Sequence, residues 1–67
     1  MTAKLLDISE EFHNITIPDI LIKKRNENSY QILNFKISGF SSDYGRGEVV
    51  DKKTVEEIMQ SYPDAFL

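Results

Sequence analysis

Between residues 30 and 40 the chain alternates, with Leu33, Phe35 and Ile37 apolar and Asn34, Lys36 and Ser38 polar between them. A period of two is the signature of a strand with one buried face, so the pattern predicts a strand here with those three apolar residues turned to the core. Residues 15–22 are rich in β-branched side chains, with Ile15 and Ile17 on one face and Ile20 and Ile22 on one face after Pro18-Asp19. This reads as a strand with a break. Proline lacks an amide donor, so Pro18 belongs at an edge or a bulge, and a bulge there accounts for the switch of apolar parity. Lys23-Lys24-Arg25-Asn26-Glu27-Asn28-Ser29 contains no apolar residue and reads as a hairpin loop joining the two strands antiparallel. Beyond residue 39, Gly39 and the run Ser41-Ser42-Asp43-Tyr44-Gly45-Arg46-Gly47 mark a second loop, and Glu48-Val49-Val50 a short third strand.

The carboxyl-terminal pattern has a different period. Val55, Ile58, Met59 and Tyr62 fall at i, i+3, i+4 and i+7, the stripe of an amphipathic helix. Asp51 is placed to cap it, and Thr54 with Glu57 offers an alternative capping box. Pro63 disfavours helical geometry at Tyr62 and ends the helix, leaving Ala65-Phe66-Leu67 as an apolar tail. The first fourteen residues admit two readings. Leu5, Ile8 and Phe12 recur at helical spacing with Thr2 as a cap, whereas Leu6 and Ile8 fit a short strand. The spacing favours the helix, although Glu10 and Glu11 then sit at its dipole-disfavoured end. The sum is an α+β fold in one domain over 1–67: a small curved antiparallel sheet of three to four strands packed against a C-terminal helix, with a second N-terminal helix as the further element.

At 67 residues one apolar core is barely sufficient, because ordering costs roughly 1.5 kcal/mol per residue and nearly cancels the hydrophobic gain. There is no cysteine, and His13 is the one histidine. Disulfides are excluded, and neither a metal site nor a cofactor is expected. Association with a larger protein or with a second copy is the remaining way to add stability. The net charge of -3 argues against a sequence-independent grip on phosphate backbones or anionic lipid. Apolar runs such as Ile20-Leu21-Ile22 stop far short of the roughly 20 residues of a membrane span. Asp7 arrives too early for a secretory hydrophobic region, so a cytoplasmic setting is expected, in the protein's own cell or in an infected host. In that setting the acceptor pattern Asn14-Ile15-Thr16 carries no glycan.

Four constellations bear on function. His13, with Glu10, Glu11 and Asn14 nearby, is the only neutral-pH base, but no motif orients its ring, so neither catalysis nor a small-molecule substrate is expected. In Asp43-Tyr44-Gly45-Arg46-Gly47-Glu48, Tyr44 and Arg46 are of the types enriched in binding hot spots, on a backbone that suits either a recognition loop or a plain turn. The segment lacks the Gly-Lys-Ser/Thr of a phosphate-binding loop and the three spaced glycines of a dinucleotide site. Phe66 and Leu67 are large apolar residues in a tail, placed to dock on their own domain or to anchor in a partner. Lys23, Lys24 and Arg25, with Tyr30 as a stacking ring, form the alternative: a nucleic-acid-binding hairpin tip. The acids Asp7, Glu10, Glu11, Asp19, Glu27, Asp43, Glu48, Asp51, Glu56, Glu57 and Asp64 are scattered, and only their concentration on one face would imitate a phosphate backbone.

Residues 45–67, a glycine loop, a Glu-Val-Val strand, an Asp-capped helix and Tyr-Pro-Asp-Ala-Phe-Leu, resemble the ends of small accessory proteins of tailed bacteriophages. That resemblance implies a compact barrel or sheet with one helix, serving as a virion accessory part or as an inhibitor of host machinery. It covers a third of the chain and brings no site residues with it. The expected function is a non-catalytic protein-protein interaction module, with a small nucleic-acid-binding regulator as the alternative.

Overall fold

Ile20, Leu21 and Ile22 are buried in succession, which a strand achieves only when both of its faces are covered. The computed structural model describes residues 1–37 and 44–67 and shows how. Strands β1 (Ala3–Leu6), β2 (Ile20–Asn26), β3 (Ser29–Phe35) and β4 (Val49–Asp51) lie side by side in chain order in one open sheet. Helix α1 (Lys52–Ser61) and a 3-10 turn (Pro63–Phe66) follow. The architecture is therefore α+β, a four-stranded sheet packed against a C-terminal helix.

On one face, Ile20 and Ile22 of β2 meet Tyr30 and Ile32 of β3 and Val55 and Ile58 of α1, all buried. The helix lies over β3 and β4, and the 3-10 turn lies over β1. The stripe read from the sequence is the packed face, with Val55 and Ile58 buried and Met59 and Tyr62 half-buried. Asp51 is the cap. Its Oδ1 accepts from the Thr54 amide at 2.9 Å and from the Thr54 hydroxyl at 2.7 Å.

On the opposite face, residues 7–19 cross over the sheet without forming a helix or strand. They cover Leu6 and Leu21, which are 1% and 4% exposed. Glu10 pairs with Lys4 of β1 at 3.4 Å and Glu11 with Lys23 of β2 at 3.6 Å. Buried Asn34 donates to the Pro18 carbonyl at 2.8 Å, and its Oδ1 accepts from Arg46 at 3.4 Å. The strap is thus tied to three strands or their flanking loops.

Four expectations change. The amino-terminal segment is strand β1, not a helix, and it pairs parallel with β2 through Ala3↔Ile20 to Leu6↔Lys23, which makes the sheet mixed. A helix built on Leu5, Ile8 and Phe12 would leave Leu6 outside and strand the β2 backbone groups on that edge without partners. Residues 15–17 are not a strand: Ile15 is fully exposed and Ile17 53% exposed. Lys23–Asn26 belong to β2, so the hairpin turns on Glu27 and Asn28 alone, with the Asn28 amide bonded to Asn26 Oδ1. Lastly, the bulge lies in β3 and not at Pro18. Leu21 pairs with Asn34 and Ile22 with Ile32, leaving Leu33 as the extra residue. Tyr30 and Ile32 therefore face the core before the bulge and Phe35 and Ile37 after it. The end of the expected strand and the loop over 38–43, including Asp43, lie outside the described residues.

Two stability tests follow. Leu6→Ala is expected to cost about 2–5 kcal/mol in urea unfolding, the range for a buried leucine, while Ile15→Ala stays within about 0.5 kcal/mol. Equal effects would mean that β1 is not seated against β2. The Thr54 hydroxyl and amide hold the Asp51 carboxyl below its ordinary pKa. Its charged form is therefore favoured by folding, and this stability is present above the unfolded pKa and fades as pH falls through the folded one. Asp51→Ala should lower the melting temperature by a few degrees at neutral pH, with the gap to the parent closing in acid.

Candidate functional site

Among the described residues, β1, the first strand of an open sheet, has a neighbour on one side only. In its parallel ladder the Ile20 amide donates to the Thr2 carbonyl at 3.1 Å, which fixes the alternation. The backbone groups of Thr2, Lys4 and Leu6 turn toward β2, and those of Ala3 and Leu5 turn away from it. Along this free edge runs an open groove of about 430 Å³. Ala3 and Leu5 form its floor. Phe12, Asn14, Thr16 and Pro18 of the strap wall one side, and Met59, Phe66 and Leu67 the other. Among the described residues lining it, Lys4 is the one with a charged side chain.

The apolar side chains of the two walls are partly exposed. Leu5 is 36% exposed and Leu67 fully exposed, while Phe12, Met59 and Phe66 are half-buried. Each wall comes from a different element, and the 3-10 turn that begins at Pro63 folds Phe66 back over β1. Smaller hollows of about 270 and 260 Å³ lie beside the 3-10 turn and at the end of β1.

Of the partner-binding residues expected from sequence, Phe66 and Leu67 come together in this groove, and Tyr44 and Arg46 lie outside its lining. Tyr44 is half-buried, its ring edge-on to Phe35 at 5.1 Å and 85°. Arg46 is exposed and reaches Asn34. Gly47 takes φ +83°, a conformation that suits glycine, and its amide donates to the Ile32 carbonyl at 2.6 Å. The loop is thereby fastened to β3. Ala3, Leu5, Phe12 and Met59 are groove residues that the sequence reading did not select. Met59 was marked only as part of the helix stripe, Leu5 and Phe12 only by the helical spacing of the first segment, and Ala3 by nothing beyond the short-strand option there.

The cations of the alternative site are dispersed by the strand that carries them. Lys23 faces the strap and pairs with Glu11, Lys24 projects to the other face and pairs with Glu27 at 3.6 Å, and Arg25 binds Gln31 Oε1 from a bulge. Tyr30 is 6% exposed within the core. His13 lies exposed on the strap. Among the described residues no three His, Asp or Glu side chains are gathered as a metal site would need, and no helix is long and apolar enough to cross a membrane.

These features define a small mixed-sheet domain whose β1 edge lies open along a groove with one apolar and one mixed wall. No family model, curated protein or solved structure matches the chain.

The packing separates Tyr44 from Arg46 in a way that stability measurements resolve. Tyr44→Ala should cost about 0.5–1.5 kcal/mol from the ring pair alone. Arg46→Ala should leave unfolding within about 0.5 kcal/mol of the parent. A neutral Tyr44→Ala would show that the ring contact with Phe35 does not hold the loop.

Proposed function

We propose that this chain is a non-catalytic interaction module that docks on a larger protein through the groove along β1, with Phe66 and Leu67 among its anchors. One observation carries the reading: the open β1 edge lies between a partly exposed apolar wall of Met59, Phe66 and Leu67 and a mixed strap wall of Phe12, Asn14, Thr16 and Pro18. Unpaired strand backbone is a template for another chain, and soluble proteins blunt or cover such edges when they are not used. Here the flanking side chains leave the edge accessible and add apolar surface around it. An accessory or inhibitory role of the kind implied by the resemblance of residues 45–67 belongs to the same proposal, since either would act by covering a surface of the larger protein. Arg46, exposed on the fastened loop, is a second contact in this reading, with Tyr44 holding that loop in place.

The test places a photoreactive amino acid at Phe12 or Leu67, and at Lys53 on the exposed side of α1 as control, in the cells that make the protein. A discrete protein adduct from the groove positions and none from Lys53 is the expected result. With that partner purified, Leu67→Asp should weaken binding about tenfold, a loss of about 1.4 kcal/mol, without changing the melting temperature. Adducts to nucleic acid alone, or equal adducts from all three positions, would refute the proposal.

A further inference from the structure

We infer that the groove takes an extended segment of the partner, added to β1 as a further strand, with an acidic side chain opposite Lys4 and apolar side chains on either side of it. This rests on the binding reading above and specifies the chemistry of what binds.

Ala3 and Leu5 each turn an amide and a carbonyl outward, at the spacing of alternate strand residues, and both line the groove. An extended chain satisfies that row of donors and acceptors one for one, whereas a helix has its own already paired. Side chains of the added strand opposite Ala3 and Leu5 project to the core face, where Met59, Phe66 and Leu67 offer apolar contact. The side chain between them projects to the strap face beside Lys4, Phe12 and Thr16.

Charge then selects among extended chains. Among the described residues lining the groove, Lys4 is the one with a charged side chain, on a chain whose net charge is -3. Its ammonium is 3.4 Å from Glu10, both side chains are nearly half exposed, and an exposed pair of this kind is weak. Glu10 also accepts from the Asp7 amide at 3.1 Å, so it keeps a partner when Lys4 turns to another carboxylate. A second copy of this chain is the wrong occupant. In the antiparallel β1–β1 register that pairs the outward groups of both residues, Ala3 of one copy lies opposite Leu5 of the other, which brings the two Lys4 side chains directly opposite, where like charges repel. Lysine on an edge strand is one of the devices that keep sheets from joining each other.

The test titrates the full ¹⁵N-labelled chain with the blocked peptide Thr-Thr-Val-Asp-Val-Thr-Thr and with its counterpart carrying Lys in place of Asp. The overall charge of the protein favours the Lys peptide, so a preference for Asp reports the local contact. The Asp peptide should shift the Ala3 and Leu5 amides, slow their hydrogen exchange and bind about fivefold tighter than the Lys peptide. Lys4→Glu should invert the preference, and Lys4→Gln, which avoids a like charge beside Glu10, should abolish it. Equal binding of both peptides at Ala3 and Leu5 would overturn the acidic requirement and leave the groove reading in place. Neither peptide reaching those amides would overturn both, and sedimentation as a β1-paired dimer would overturn the choice of occupant.

Discussion

Everything in this fold follows from the burial of Ile20, Leu21 and Ile22 on a single strand. Three successive apolar residues place side chains on both faces of the sheet, so one helix cannot cover them. Helix α1 covers the face of Ile20 and Ile22, and the strap over 7–19 covers the face of Leu21. The backbone of β2 must also be paired on both edges. Its antiparallel partner β3 comes from a two-residue turn, but the other edge is closed by β1, which reaches it in parallel. A parallel pair needs a long connection between its strands. Residues 7–19 are that connection, and its length is what allows them to serve as the cover.

What the amino-acid pattern revealed depended on how local the cause was. Helix α1 and its Asp51 cap were legible because the stripe and the cap operate within a few residues. The short strand at Val49 and Val50 and the α+β class were legible for the same reason. The identity of β1 was not, since Ala3-Lys4-Leu5-Leu6 becomes a strand by pairing with residues near position 20, and its own spacing fits a helix as well. Polarity misled at Lys23–Arg25, where charges sit within a strand because the strap acids, Glu27 and Gln31 supply partners. The extra residue at Leu33 was hidden because a bulge preserves composition and shifts only phase. Of the groove, only Phe66 and Leu67 were visible beforehand. Its other walls exist because the strap and the 3-10 turn meet over β1, which no local pattern encodes.

The ledger of a 67-residue domain explains why an open edge is tolerable here and why it is consequential. Without disulfides, the strap must hold by burial of Leu6 and Leu21 together with exposed ion pairs and a buried amide at Asn34. Exposed pairs add little to stability, so apolar burial and the Asn34 bond to Pro18 carry most of the attachment. That division gives the strap a fixed inner attachment, which includes the largely buried Lys23, and an exposed ion pair, Lys4–Glu10, that can exchange partners at small cost. The stem of Lys4 runs on the strand while its ammonium is shared with a loop acid that has another donor at hand.

On the proposed reading, the same lysine also decides which strands can join this edge. An uncharged Ala3–Leu6 strand flanked by Phe12, Met59 and Phe66 would accept any extended apolar chain, including its own copy. A single positive charge at the centre of the strand penalises the symmetric antiparallel arrangement, because the two-fold axis doubles every central charge. A dissimilar strand bears no such constraint and can place an opposite charge there. One residue can therefore disfavour self-assembly and favour a different partner, through the difference between a charge facing itself and a charge facing its complement.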